Sequence, residues 1–173
     1  MYRRSRVQMR MMSPSLTKSG NLTESGRGLA ASESVAMSET GDCWSAGVDN
    51  GSNYALYYFK GCTSPGVPAR QWLNREWGGL DVDTHGNLVS IDQGTASLYV
   101  YRGCDPLCRK VGGPFALHAN AQYGHLNLPG NLFAAASSNA IDIYRYGPHA
   151  LTYEYSITNG AGGVSGVAFA PGR

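Results

Sequence analysis

The sequence predicts an all-β chain, a partial β-propeller of three four-stranded antiparallel blades plus one extra strand. Two motifs and one pattern predict it. The apolar, tyrosine-rich run Tyr58-Phe59-Lys60-Gly61-Cys62 returns 42 residues later as Val100-Tyr101-Arg102-Gly103-Cys104, and about 43 further on as Ile143-Tyr144-Arg145-Tyr146-Gly147. A second motif keeps the same period: Gly41-Asp42-Cys43-Trp44, Gly86-Asn87-Leu88-Val89 and Gly130-Asn131-Leu132-Phe133 are spaced 45 and 44 residues apart. The pattern is period-two alternation, clearest where Leu151, Tyr153, Tyr155 and Ile157 interleave with Thr152, Glu154 and Ser156, as expected of a strand with one buried face. Units of this length with four short strands each make propeller blades.

In chain order, residues 1–29 read as a disordered or weakly ordered leader, Arg- and Met-rich and then Ser/Thr/Gly-rich without periodicity. The partial propeller spans 30–173, with blades at about 30–76, 77–120 and 121–160 and an orphan strand at 163–170. Strand A is small and alternating, at 79–82 and 124–128. A Gly-Asn or Gly-Asp step then turns the chain, because both residue types tolerate positive φ at low cost. Strand B follows at 43–48, 88–91 and 132–136, and strand C at 54–60, 98–102 and 140–146. Propellers close with roughly four to eight blades. Three units leave two apolar faces open, so the chain reads as a fragment of a longer ring, with self-association through the open blade faces as the other resolution.

Composition narrows the function classes. Hydrophobic residues make up 42% and charged residues 15% of the 173, enough apolar side chains for a packed core. The net charge is only +2, and Arg3, Arg4, Arg6 and Arg10 cluster at the N-terminus, so no basic face marks a nucleic-acid partner. No apolar run is long enough to cross a membrane. Residues 7–12 are interrupted by Gln8 and Arg10, so no secretory signal is present as written.

The cadence Leu80-Asp81-Val82-Asp83-Thr84-His85-Gly86-Asn87-Leu88-Val89 resembles blades of NHL-type and SMP-30/gluconolactonase-like propellers. The likeness runs over roughly residues 30–173. The motifs Gly-Asp-Cys-Trp, Phe-Lys-Gly-Cys and Cys-Asp-Pro-Leu-Cys are also similar to a group of uncharacterised bacterial proteins. The lactonase resemblance implies a divalent cation, held by carboxylate and amide side chains at the channel mouth. No residue here matches those ligands closely enough to be carried over.

The residues themselves offer a few candidate sites. Asp81-x-Asp83-x-His85-Gly86, with Asp92 in the twelfth position, approaches a calcium loop. The repeat gives a plainer account, since the next unit puts His125 and Asn127 where Asp81 and Asp83 stand. Asp81 and Asp83 remain candidates for a channel ion. His85, His118, His125 and His149 fall in turns and strand ends, where solvated or turn-capping roles are expected. Cys43 opens strand B and Cys62 closes strand C of one hairpin, while Cys104 and Cys108 bracket Asp105-Pro106-Leu107. The register predicts Cys43–Cys62 and Cys104–Cys108 disulfides, hence an extracytoplasmic or secreted protein. A zinc site and four reduced thiols in a cytoplasmic protein are the rival readings. Trp44, Tyr57, Phe59, Trp72, Trp77, Tyr99, Tyr101, Tyr144 and Tyr153 are expected mainly in the core. The leading reading is a non-catalytic segment for binding or scaffolding, with a protein or carbohydrate ligand and no cofactor. The alternative is a fragment of a divalent-metal-dependent SMP-30-like lactonase or hydrolase, with calcium or another divalent cation.

Overall fold

The structure, a computed structural model, describes residues 29–49, 54–63, 67–72, 77–104, 108–118, 121–158, 164 and 166–170. The expected leader lies outside the described residues, apart from Leu29. Among the described residues, twelve strands form three separate four-stranded sheets. The first holds β1 (Leu29–Met37), β2 (Cys43–Asp49), β3 (Tyr54–Phe59) and β4 (Val67–Trp72). The second holds β5 (Trp77–Val82), β6 (Leu88–Asp92), β7 (Ser97–Arg102) and β8 (Arg109–Ala116). The third holds β9 (Tyr123–Leu126), β10 (Leu132–Ala136), β11 (Ile141–Gly147) and β12 (Ala150–Ile157). Each sheet is antiparallel in simple chain order, so each is a blade.

The first strands lie side by side: β5 packs against both β1 and β9. Their approach is close. A Cβ built on Gly79 would sit 2.8 Å from the Gly124 nitrogen, so at Gly79 only hydrogen leaves room for the neighbouring blade. One backbone bond, Gly79 N to Gln122 O at 2.9 Å, crosses there.

Two apolar layers hold the blades face to face. Between the first and second lie Trp44, Ala46, Leu56 and Tyr58 against Leu80, Leu88, Tyr99 and Tyr101. Between the second and third lie Val89, Ile91, Leu98 and Val100 against Phe133, Ala135, Tyr144 and Tyr146. Full burial of one such side chain is worth roughly 1.5–3 kcal/mol, so these layers dominate the stability. Of the aromatics expected mainly in the core, Trp44, Tyr57, Phe59, Tyr99, Tyr101 and Tyr144 are buried, Tyr153 is 41% exposed, and the side chains of Trp72 and Trp77 lie outside the described residues.

Three expectations need correction. The described residues of the orphan strand, 164 and 166–170, form no strand, because a strand A takes its ladder from a strand B and none lies beside it among the described residues. The two end faces are not simply wet. Ala55, Tyr57 and Phe59 on the far side of the first blade are buried, as are Ala134 and Ile143 on the far side of the third. Finally, β12 does not bury one face. Its partners shift between Ile143, which faces Tyr155, and Tyr144, which faces Tyr153. The resulting bulge at Glu154 sends Tyr153 toward the second blade and Tyr155 to the far face, and Tyr155 is 55% exposed.

Candidate functional site

The polar side chains that the sequence singles out gather where strand A turns into strand B. All three turns share one construction. A polar residue (Ser38, Asp83 or Asn127) accepts a backbone bond from the glycine three residues on, Gly41, Gly86 or Gly130. Each glycine has positive φ, at 89°, 73° and 68°, which is why this step recurs in the sequence. The polar side chain then ties down the chain four residues later. Asp42 N donates to Ser38 Oγ at 3.0 Å, Asn87 N to Asp83 Oδ1 at 2.8 Å and Asn131 N to Asn127 Oδ1 at 3.0 Å.

Asp83 does more than its counterparts. Its Oδ1 accepts from His85 N and Asn87 N, and its Oδ2 from Asn87 Nδ2 and the Tyr146 hydroxyl. That makes four bonds, close to the full acceptor capacity of a carboxylate. Tyr146 belongs to β11, so this contact staples the third blade onto the second blade's turn. Burial, and then the charge of Asp83, push the Tyr146 phenol far above its ordinary range and keep it a donor. On the other side Arg102 Nε donates to Asn87 Oδ1 at 3.0 Å. The buried aspartate is the hub of a polar chain from Arg102 to Tyr146.

Asp81 makes a second crossing. Its Oδ2 accepts from Leu126 N at 2.7 Å and meets His125 Nδ1 at 2.5 Å, while Oδ1 accepts from Val82 N. With Asp81 as the accepting carboxylate, the hydrogen sits on Nδ1. His125 therefore stands within β9 as an interblade partner rather than in a turn. The other histidines stay apart from it. His85 is exposed in the turn, His118 stacks 4.0 Å from the Tyr153 ring, and His149 Nδ1 meets the Val111 carbonyl at 3.1 Å.

Two adjoining clefts open over these turns. One, of about 260 Å³, is lined by Glu39, Asp81, Asp83, His125 and Asn127 with Met37, Leu128 and Phe169. The other, of about 360 Å³, lies over the first joint and is lined by Asp42, Trp44, Tyr58, Gly103 and Cys104. The calcium-loop spacing is not gathered into one site. Asp92 ends β6 opposite Trp77, at the far end of the ladder from Val82 and Leu88. Among the described residues, no three His, Cys, Asp or Glu side chains converge as a cation site.

The cysteines fall in two pairs at disulfide distance. Cys43 and Cys62 have Cα atoms 4.9 Å apart, and Cys104 and Cys108 4.0 Å apart. Cys43 itself faces Phe59 in the ladder. A short 3₁₀ turn at Lys60–Cys62, held by Gly61 N donating to Asp42 Oδ1 at 2.8 Å, swings Cys62 back onto it.

Two solved structures share this architecture. An X-ray structure of a protein provisionally described as a gluconolactonase superposes with a TM-score of 0.67 at 14% identity, covering 86% of this chain and 55% of its own. The chain shares the fold of that neighbour. A protein from Lactobacillus plantarum matches with a TM-score of 0.53 at 15% identity, over 75% of this chain and 43% of that one. At such identities the likeness is one of fold, and the chain spans about half the length of either neighbour. No family model matches the chain, and no curated protein matches it in sequence. Among the described residues no helix is long and apolar enough to cross a membrane.

Proposed function

We propose that this chain is a non-catalytic propeller segment, serving binding or scaffolding in an extracytoplasmic, oxidising compartment. One observation carries the reading. Apart from the exposed Glu39, the acidic and amide side chains at the axial clefts are engaged in holding turns and blades together. Asp83 accepts four bonds, Asn127 and Asn131 bond to one another, and Asp81 holds His125 and Leu126. A cation at Asp83 would have to displace protein donors that are already buried, which costs on the order of 1–3 kcal/mol for each one left unpaired. The compartment rests on the four cysteines, which we read as two disulfides that persist where thiols are oxidised. Ligand contact then falls to the cleft walls, where His125, Leu128 and Glu39 are exposed.

A second reading is favoured by the fold likeness to a protein provisionally described as a gluconolactonase: a piece of a divalent-metal-dependent lactonase, with Asp81 and Asp83 among the cation's ligands. A pH-stat assay of lactone hydrolysis, with and without calcium, manganese or zinc, separates the two. The binding reading expects no rate above buffer under any of these conditions. Cation-dependent hydrolysis that Asp81→Asn removes would establish the lactonase instead.

A further inference from the structure

Trp44 ties the first blade to backbone at Cys104 that the second blade's ladder does not hold. Its indole Nε1 donates to the Cys104 carbonyl at 3.2 Å, in a buried contact that links positions 60 residues apart. Cys104 lies outside the sheet. The β7–β8 ladder ends at the pair Arg102 and Arg109, so Gly103, Cys104 and Cys108 lie beyond it. Gly103, with φ of 63°, directs the chain away from the strand. Cys104 and Cys108 meet there, with Cα atoms 4.0 Å apart. Cys104 is also packed in the apolar layer of the joint, with Trp44, Tyr58, Leu88 and Tyr101, while Cys108 is half-buried at its edge. The larger cleft opens at this point, between Trp44 and Tyr58 on one blade and Gly103 and Cys104 on the other.

We propose that the Cys104–Cys108 bridge is a thiol-operated latch on the joint between the first two blades. Closed, it fixes the carbonyl that receives the Trp44 indole. Opened by a dithiol, it frees that carbonyl and loosens the wall of the cleft. The proposal rests on the reading of the cysteines as oxidised. In the reaction a thiolate of the dithiol attacks the Sγ of Cys108, the less buried residue of the two, and the Cys104–Cys108 bond breaks as the mixed disulfide forms. Cys104 leaves as a thiolate and takes a proton. The second thiol of the reagent then displaces Cys108, so the protein gains two thiols and the dithiol becomes its own disulfide. Cys43–Cys62 plays a different part. Cys43 packs with Ala55, Tyr57 and Phe59, on the face turned away from the joint.

The test uses the full chain. Alkylation of the untreated protein followed by peptide mass spectrometry first counts its thiols, and four labelled cysteines would defeat the oxidised reading itself. With both bridges present, graded dithiothreitol with an alkylation quench is expected to label Cys104 and Cys108 before Cys43 and Cys62. Over the same range the Trp44 indole NH resonance, assigned with Trp44→Phe, shifts while far-UV circular dichroism holds. The Cys104→Ser/Cys108→Ser variant should show the shifted resonance without reductant. Earlier labelling of Cys43 and Cys62, or a Trp44 resonance indifferent to the state of Cys104–Cys108 in the wild-type chain, overturns the latch.

Discussion

Asp83 is the residue on which most of the polar structure converges, and its replacement gives the sharpest local test. Asp83→Ala removes the acceptor of four bonds and leaves the Asn87 amide and the Tyr146 hydroxyl buried without it. The expected loss is on the order of 3 kcal/mol, read as a lower urea midpoint with unchanged m-value. Tyr146→Phe breaks only the interblade contact and is expected to cost about 1–2 kcal/mol. Because the two act through one hydrogen bond, the double variant should cost less than the sum of the singles. The tyrosines also set an alkaline limit. Burial, only partly offset by the bond that the His118 amide donates to its oxygen, pushes the Tyr144 phenol up to about 12. In the unfolded chain a tyrosine ionises near pH 10. The folded state therefore resists deprotonation, and its stability is intact below about pH 10 and falls as pH rises from there through 12. Ultraviolet titration of tyrosinate against circular dichroism is expected to show a late-ionising fraction that titrates together with unfolding.

At the scale of turns and strands, two glycines separate conformational from steric demand. Gly86 has positive φ, and nothing lies within 4 Å of a Cβ built on it, so Gly86→Ala is expected to cost only about 1 kcal/mol. Gly79 meets the backbone of Gly124 in the next blade. Gly79→Ala should therefore destabilise by several times more, since backbone cannot yield as a side chain can; equal melting temperatures for the two variants would contradict the close approach of the first strands. The turns were legible in the sequence because their chemistry is local: a glycine forced into positive φ leaves a Gly-Asp or Gly-Asn step every 44–45 residues. The second and third strands were legible too, as apolar runs at a fixed offset. The bulge at Glu154 was not, since alternation along one strand says nothing of how its partner counts residues. Nor was the Asp81–His125 pair, whose partners stand 44 residues apart and meet only because first strands of adjacent blades lie together. A signal was available there: His125 occupies in one unit the place Asp81 holds in the one before. Residues 164 and 166–170 of the expected last strand form none for the opposite reason, as strand-like residues form no ladder without a neighbour.

For the molecule as a whole, stability comes from faces rather than edges. The sheets exchange few backbone bonds and meet through the two layers centred on Tyr101 and Tyr144. Covalent ties add to this if the cysteines are oxidised. Cys43–Cys62 joins residues 19 apart, for which loop-closure entropy gives about 3 kcal/mol, so Cys43→Ser/Cys62→Ser should lower thermal stability more than removal of the short Cys104–Cys108 loop. At this scale the proposed binding role rests on Asp81 and Asp83 being engaged in contacts between blades. All of it presumes three sheets stacked on an axis. The most direct measurement is a nuclear Overhauser map of the isotope-labelled chain. The expected result is contacts from Trp44 to Tyr101 and from Gly79 to Gly124 across the joints, with cross-strand ladders confined to β1–β4, β5–β8 and β9–β12. A continuous Hα–Hα ladder running from β4 into β5, or from β8 into β9, would contradict the stacked-blade account.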